Sequence, residues 1–418
     1  MKRGAYTSRM FSRRLQWPYP ANRLSRLIGE KRERGTRVLD LTESNPTRVG
    51  LRYPEEAIAE ALRAAAGPAY DPAPRGLEEA RAAVAAWHAS RRGLVVDPDR
   101  IVLTASTSEA YSYLFKLLAD PGDAILVPRP SYPLFDYLAA LDGLRVEGYV
   151  LHDDGDRGTI DFEALEREDG GGGGAAPRAL VLVNPNNPTG AALRAHERDR
   201  LQGWARRARC AVISDEVFLD FLDEPQGSGP GGAERDRIVS LLSPGGGAGG
   251  EPPLQFALGG LSKACGLPQL KLGWIVVDGP EAAVREALDR LDLIADTYLS
   301  VGTPVQRAAA PLLEIGDSIR ALIQARLRQN LEALRCAVAK VPSCRLLRRD
   351  GGWYAVIQIP AVVPEEERVV SLLAEDDVLV HPGFFFDFPK EAYLVLSLLP
   401  EPEAFREAIR RLLARVGP

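Results

Sequence analysis

The sequence lacks any apolar run of about 18 residues, so it predicts no membrane-spanning helix. It also lacks a basic excess: its formal net charge is −5, whereas a domain that binds nucleic acid is usually basic. Its four cysteines show none of the paired spacings that hold a metal ion or build a disulfide framework. We therefore expect reduced thiols, no bound metal, and partners that are neither membranes nor nucleic acids.

A secretory signal is absent as well. The first 17 residues, MKRGAYTSRMFSRRLQW, are basic but have no apolar core and no cleavage site. We therefore expect a cytoplasmic protein, with Met10 as an alternative start of translation. Two glycine-rich stretches, 168–178 and 225–253, cannot hold a packed core and are expected to be surface loops within one domain.

Short apolar segments alternate with helical patterns through the middle of the chain. The strand-like segments are 101–104, 124–128, 179–184, 211–215, 256–261 and 273–277. Near-continuous apolar strands separated by helices predict an α/β domain with a mostly parallel sheet flanked by helices. The C-terminal part, with long helices before two or three strands and a closing helix, predicts a smaller α+β domain. We place the large domain at 61–299 and the small domain at 1–60 and 300–418.

Lysine is scarce, with seven residues in 418. Two of them, Lys263 and Lys271, lie eight residues apart in the glycine-rich and largely apolar segment GGLSKACGLPQLKLGW, 259–274. An isolated lysine in such a setting usually extends its ammonium group to the surface. A partly desolvated lysine instead has a lowered pKa and can act as a nucleophile, forming a Schiff base with a carbonyl cofactor such as pyridoxal phosphate.

That cofactor needs an acid beside its pyridine nitrogen, donors for its phosphate and a flat face for its ring. Asp215 ends a predicted buried strand, where α/β sheets bind ligands, although a helix cap or a solvated carboxylate would look the same. Ser106 and Thr107 open a helix whose free N–H groups and dipole would attract phosphate, as would any ordinary N-cap. Tyr132 could cover the ring or lie in a plain proline-rich turn.

The segment VNPNNPTGAAL, 183–193, is more specific. Proline fixes φ, asparagine side chains bond the backbone or a ligand, and glycine permits positive φ. Two Asn-Pro steps and a Pro-Thr-Gly therefore define one tight turn at a strand end. A plain connecting loop does not need so many restricted residues, so this segment indicates a functional site.

Read in chain order, NPNNPTG, SDEVF and LSKACGLPQLKLGW resemble the class I/II aminotransferase family of fold-type I pyridoxal-phosphate enzymes. The resemblance extends from about residue 38 to residue 416. It implies a seven-stranded sheet in the large domain, pyridoxal 5′-phosphate as cofactor, and a homodimer with shared active sites. It also implies a ping-pong reaction that moves an amino group from an amino acid or amine to a 2-oxo acid.

The resemblance assigns roles to individual residues. Lys263 would bind the cofactor covalently and move the proton during the reaction, while Asp215 would face the pyridine nitrogen. Asn187 would hydrogen-bond the 3′ oxygen. Tyr132 would stack on the ring. The phosphate would be held by Ser106, Thr107 and Lys271, and Tyr70 would reach the phosphate of the neighbouring subunit's cofactor.

Four positions depart from the family pattern. Lys271 stands where arginine is usual, which keeps the charge but loses the bidentate fork. Phe218 replaces a hydrogen-bonding tyrosine, Gly260 a phosphate-binding serine, and Val395 the arginine that clamps the substrate's α-carboxylate. Either another group meets the carboxylate or the donor lacks one there. The candidates at the substrate are Asn45, Arg48, Arg75, Arg129 and His381, the last of which opens the aromatic segment HPGFFFDF, 381–388.

Two other functions remain open at this point. The same scaffold could run as a pyridoxal-phosphate-dependent β-lyase or decarboxylase, because fold does not set function. A protein that binds the cofactor without catalysis is the third possibility. The presence of Lys263, Asp215 and Asn187 argues against a non-catalytic protein.

Overall fold

The computed structural model describes residues 11–12, 14, 23–153, 158–168, 176–223, 234–244 and 250–417. The alternative start at Met10 and the glycine-rich centres of both expected surface loops lie outside these ranges. Among the helices within them, none combines the length and the apolar character that a membrane crossing requires.

Strands of the described residues fall into one large and two small sheets. In chain order they are β1 (Leu39–Asp40), β2 (Ile101–Thr104), β3 (Ala124–Arg129), β4 (Arg145–Asp153), β5 (Gly158–Ile160), β6 (Ala179–Val183), β7 (Ala211–Asp215), β8 (Gln255–Gly260), β9 (Gly273–Asp278), β10 (Arg345–Leu346), β11 (Tyr354–Gln358), β12 (Val378–Leu379), β13 (His381–Pro382) and β14 (Tyr393–Ser397).

The α-helices of the same residues include short connectors and one long helix that spans much of the C-terminal part. They are α1 (Arg23–Glu33), α2 (Glu55–Ala64), α3 (Glu78–Arg92), α4 (Thr107–Leu118), α5 (Leu134–Asp142), α6 (Phe162–Glu168), α7 (Ala195–Ala208), α8 (Leu261–Ala264), α9 (Glu281–Tyr298), α10 (Thr303–Arg307), α11 (Ala309–Val338), α12 (Glu365–Asp376) and α13 (Pro402–Val416).

The large sheet has the order β2-β9-β8-β7-β6-β3-β4-β5. Its centre, from β8 to β4, is parallel, while β9 and β5 run antiparallel to their neighbours. The six predicted strands all occur within one residue of their expected bounds, and the predicted α/β class is confirmed. The large sheet has eight strands, one more than the seven expected, because the short β5 pairs with β4 at the edge of the sheet.

Helices cover both faces of this sheet. On one face α4, α5 and α9 bury apolar side chains against the strands, and on the other α6 and α7 do so. The strands β6 and β8 are buried along their whole length, which explains why their sequences are almost continuously apolar. Each fully buried Val, Leu or Ile contributes about 1.5–3 kcal/mol to the free energy of unfolding.

One of the two smaller sheets joins the N-terminal part of the chain to the C-terminal part. Four strands form an antiparallel sheet in the order β10-β11-β14-β13, and β1 pairs in parallel with β12 through Leu39 and Val378. An N-terminal strand is thus held by a C-terminal one. This pairing favours our proposed division into a large domain, 61–299, and a small domain built from 1–60 and 300–418.

The topology gathers the predicted site at one edge of the large sheet. Strands β2, β3, β6, β7 and β8 point the same way, so their carboxyl ends meet there. Asp215 is the last residue of β7, and Lys263 follows β8 by three residues. The remaining predicted cofactor residues of the same chain follow β2, β3 and β6 or precede β9, and they are Ser106, Thr107, Tyr132, Asn187 and Lys271.

Candidate active site

Lys263 lies in α8, directly after β8, and its side chain is partly buried. Its Nζ lies 4.9 Å from the ring centroid of Trp353 and 6.0 Å from that of Phe218. Burial lowers the pKa of Lys263, and the charge of Asp215 opposes this shift. Because desolvation favours the neutral amine, this lysine is better suited to nucleophilic attack than one that extends into water.

Asp215 is held at both carboxylate oxygens. The Tyr111 hydroxyl donates to Oδ2 at 3.1 Å, and the backbone N–H of Val217 donates to Oδ1 at 3.2 Å. Burial raises the pKa of Asp215 to about 6, while the two hydrogen bonds and the charge of Lys263 act in the opposite direction. The carboxylate is therefore mostly ionised at neutral pH and can pair with a protonated ring nitrogen.

Tyr111 is a site residue that the sequence analysis missed. It lies in α4, the helix that begins at Thr107, and is 2% exposed. The sequence carried one usable signal: a phenol in the first two turns of a helix whose remaining inward side chains are mostly apolar. Such a hydroxyl needs a buried hydrogen-bond partner.

The loop after β6 holds its asparagines in different ways. Asn184 accepts from the backbone N–H of Leu193 and donates to the carbonyl of Val239, both at 2.9 Å. Asn186 accepts from the Thr189 hydroxyl at 2.9 Å. The Nδ2 of Asn186 and the Oδ1 of Asn187 are buried and have no hydrogen-bond partner among the described residues.

An unpaired buried amide oxygen is costly and suggests that a ligand completes the site. Rotation of the amide exchanges its oxygen with its NH₂ group, so the same position can present a donor. The Asn184-Pro185 and Asn187-Pro188 peptide bonds are both cis. Gly190 has φ +74°, and a Cβ there would lie 2.5 Å from the carbonyl oxygen of Gly351. Close packing against Gly351 thus fixes the loop at Gly190.

The expected phosphate turn lies at the start of α4. Ser106 is the N-cap, its Oγ accepting from the backbone N–H of Glu109 at 3.2 Å. Gly273 pairs with Thr104 across the sheet, and a Cβ on Gly273 would come within 3.2 Å of the Ser106 carbonyl carbon. The pairing carries exposed Lys271, two residues before Gly273, to the edge where Ser106 lies.

One acidic group shares this turn. Glu109 Oε2 accepts from the Ala105 N–H at 2.6 Å and from the Ser300 hydroxyl at 2.7 Å. The Ala105 N–H is therefore already engaged. The Ser106 hydroxyl and the first N–H groups of α4, including that of Thr107, remain as candidate phosphate donors.

Both predicted site tyrosines are partly exposed. Tyr132 is 44% exposed and follows the cis Arg129-Pro130 bond, at the end of β3. Tyr70 is 69% exposed. An exposed tyrosine suits a residue whose expected contact lies in a second subunit.

Two of the candidate cations are already engaged by carboxylates. Arg129 contacts Asp136 at 3.0 Å and Asp387 at 2.8 Å. Because Asp387 belongs to the aromatic segment 381–388, Arg129 ties that segment to the end of β3. Arg75 contacts Asp292 at 2.9 Å. These pairs argue against either arginine as the substrate clamp, since binding a carboxylate would first require breaking them.

Arg48 is exposed, at the end of a 3₁₀ turn formed by Pro46–Arg48. Asn45 caps that turn by accepting from the Thr47 N–H at 3.0 Å. The side chain of Asn45 therefore has a structural role, while Arg48 remains available for a ligand.

Val395 is fully buried in β14 and pairs directly with His381 of β13. Burial lowers the pKa of His381, with the charge of Asp40 opposing the shift. His381 is consequently uncharged at neutral pH. Val395, where the resemblance predicts an arginine, thus pairs with an uncharged imidazole, and the charge that acts on this imidazole is the negative one of Asp40.

These side chains fit pyridoxal phosphate on chemical grounds. A partly desolvated amine suits the aldehyde, and a buried carboxylate suits the ring nitrogen. An amide whose oxygen has no partner among the described residues can rotate to present its NH₂ group to the 3′ oxygen. A helix start with a hydroxyl N-cap suits the phosphate.

Comparisons of sequence and of structure both find aminotransferases among the similar proteins. The model of the family "Aminotransferase class I and II" matches residues 36–412. The chain is 26% identical to glutamate-pyruvate aminotransferase AlaA of Haemophilus influenzae, over 91% of each chain. It is 31% identical to the S-alkyl-thiohydroximate lyase SUR1 of Arabidopsis thaliana, over 63% of this chain and 53% of the lyase. Alanine aminotransferase of Pyrococcus furiosus has a similar fold, with a TM-score of 0.80, 24% identity and coverage of 96% and 98%.

Proposed function

The chain belongs to the class I and II aminotransferase family, and from that membership we propose how its side chains carry out transamination. The protein is a pyridoxal-phosphate-dependent transaminase, which moves an amino group from an amino acid to a 2-oxo acid by a ping-pong mechanism. The bound cofactor supplies an electron sink for the substrate's α-carbon. The observation that carries the proposal for this chain is the partly desolvated Lys263 amine facing the charge of Asp215.

Lys263 would hold the cofactor aldehyde covalently through Nζ and would also move the proton at the substrate's α-carbon. Its lowered pKa supports both roles, because a nucleophile and a general base must each be neutral. Asp215 provides the negative charge beside the ring nitrogen. Asn187 would donate to the 3′ oxygen through its NH₂ group after rotation of the amide, and such a rotation breaks no bond to Oδ1 among the described residues.

Ser106 and Thr107 hold the phosphate at the start of α4, with Lys271 as its cation. Tyr132 covers the ring. At the substrate, Arg48 is our first candidate for a carboxylate, since Arg129 is paired with two acids. His381 would line the site as a neutral polar group, and Asn45 would do so through its NH₂ group, because its oxygen accepts from the Thr47 N–H.

The function is tested by a half-reaction. The protein is loaded with pyridoxal phosphate and mixed with alanine, glutamate, aspartate or an aromatic amino acid, without acceptor. A transaminase should release at most one equivalent of the matching 2-oxo acid per site and then stop. Adding a 2-oxo acid should restart it and yield the corresponding amino acid. Alanine and glutamate are tried first because the curated relatives include a glutamate-pyruvate aminotransferase.

A β-lyase is the second candidate, favoured by the similarity to a lyase of Arabidopsis thaliana. Given an S-substituted cysteine, whose thiol can leave from the β-carbon, it would release that thiol, pyruvate and ammonia over many turnovers without any acceptor, whereas a decarboxylase would release carbon dioxide from its donor. Cofactor binding with no half-reaction for any donor would indicate a non-catalytic protein. Each of these results would contradict transamination.

We also propose a homodimer with shared active sites, in a cytoplasmic location. Tyr70 is 69% exposed, and the nearby helix α9 ends with Leu293 and Tyr298 at 72% and 53% exposure. Sedimentation should give about twice the 45.4 kDa of one chain. Tyr70→Phe should weaken cofactor binding about 10-fold, the effect of one lost hydrogen bond to a charged group. A monomeric mass with full activity would contradict shared sites.

A further inference from the structure

Among the described residues, two groups donate to the Asp215 carboxylate, and they differ in kind. The Val217 N–H belongs to the backbone, so every residue except proline would preserve it at position 217. The Tyr111 hydroxyl, 3.1 Å from Oδ2, is a side-chain group that could be replaced. We propose that Tyr111 is a positioning residue for the transamination: it keeps Asp215 ionised and orients its carboxylate toward the cofactor's ring nitrogen. This inference rests on the proposed role of Asp215.

Packing leaves Tyr111 little freedom. The side chain is 2% exposed, and its ring makes an edge contact with Phe135 at a centroid distance of 5.2 Å and a tilted contact with Phe115 at 5.9 Å. A ring held on two sides directs its hydroxyl along one line. The hydrogen bond therefore fixes one oxygen of Asp215 without the entropy loss of ordering a mobile side chain.

The same helix also forms the proposed phosphate site. Tyr111 lies four residues after Thr107, the first residue of α4, and five after the N-cap Ser106. One rigid element thus carries the donor for the carboxylate and the donors for the phosphate. The distance between the two ends of the cofactor site is set by α4 rather than by a flexible loop.

The charges around Asp215 determine how loss of the Tyr111 hydroxyl would change the ionisation of this carboxylate. Burial and the Asp215 charge raise the pKa of Tyr111 far above its ordinary value, so this phenol keeps its proton and can only donate. Tyr111, the Val217 N–H and the charge of Lys263 lower the pKa of Asp215, while burial and the Glu216 charge raise it. Removing the hydroxyl leaves fewer groups that favour the ionised form.

A matched control exists nearby. Tyr149 is 4% exposed and donates to the carbonyl oxygen of Val181 at 2.9 Å. Tyr149→Phe deletes a buried hydroxyl just as Tyr111→Phe does, but Asp215 keeps both of its donors. General loss of packing or of a buried hydrogen bond should affect both variants alike.

The test uses the apo form of the full-length protein and two ligands. One is pyridoxal phosphate, and the other is its 1-deaza analogue, in which a C–H group replaces the ring nitrogen. Binding is followed by quenching of tryptophan fluorescence from pH 6 to pH 9. At neutral pH, Tyr111→Phe should weaken binding of pyridoxal phosphate about 10-fold, as expected for a lost hydrogen bond to a charged group. It should also move the midpoint of the pH dependence upward by about one unit.

The analogue should bind Tyr111→Phe and the wild-type protein equally well, and Tyr149→Phe should bind both ligands as the wild type does. In an Asp215→Asn background, the further change Tyr111→Phe should have no effect on pyridoxal phosphate, because the two residues act through one carboxylate. Equal weakening for both ligands, or no weakening for either, would overturn this inference alone. Failure of the wild-type protein to bind pyridoxal phosphate would overturn the proposed function with it.

Discussion

Replacing Lys263 with alanine should abolish covalent cofactor binding and lower turnover by about 10,000-fold, because one group supplies both the nucleophile and the proton transfer. The Lys263 amine is partly desolvated against Trp353 and faces the Asp215 carboxylate. Borohydride reduction of the protein with pyridoxal phosphate, followed by peptide mapping, measures the loss directly. The wild-type protein should carry the label on the peptide that contains residue 263.

Lys116 provides the control for this experiment. Its ammonium group pairs with Asp142 and bonds the Ser112 hydroxyl at 2.6 Å, away from the predicted site. Lys116→Ala should be labelled and should turn over like the wild-type protein. A label on Lys271, or normal turnover by Lys263→Ala, would refute the assignment.

The sequence was sufficient to predict the strands that build the site edge. Segments such as 211–215 are short, apolar and β-branched because both faces of a central strand are buried. The strand β4, which lies between β3 and the edge strand β5, was not predicted. Its hydrophobic pattern is weaker because its side chains are partly exposed, with Val150 at 39%. A strand can be predicted from a single sequence when both of its faces are buried, because nearly all of its residues are then apolar.

Contacts between distant positions could not be predicted in this way. Arg129 was a reasonable clamp candidate until its pairing with Asp387, 258 positions later, became visible. The bond from Tyr111 to Asp215 joins residues 104 positions apart. Residue type and spacing indicate which chemistry is available, whereas the fold decides which charges are already neutralised.

Replacing Asp215 with asparagine should have opposite effects on catalysis and on stability. Turnover should fall about 1,000-fold, as for other groups that stabilise charge formed during the reaction. The apo-protein should nevertheless unfold less readily at pH 7.5. Burial raises the pKa of Asp215 from 3.8 to about 6, so the folded state binds this proton more tightly than the unfolded state does. Above pH 6 the ionised carboxylate therefore costs stability.

A shift of about two pKa units corresponds to about 3 kcal/mol. Losing the hydrogen bond from the Val217 N–H offsets about 1 kcal/mol. Asp215→Asn should thus gain about 2 kcal/mol in urea unfolding at pH 7.5, and this gain should shrink as the pH falls through 6 toward 4. Asp99→Asn should have the opposite effect on stability. A hydrogen bond from Arg81 lowers the pKa of Asp99, so loss of the Asp99 carboxylate should destabilise the protein at pH 7.5. An Asp215→Asn variant that is less stable at pH 7.5 would show that the buried charge does not cost stability, and a fully active variant would show that this carboxylate has no role in catalysis.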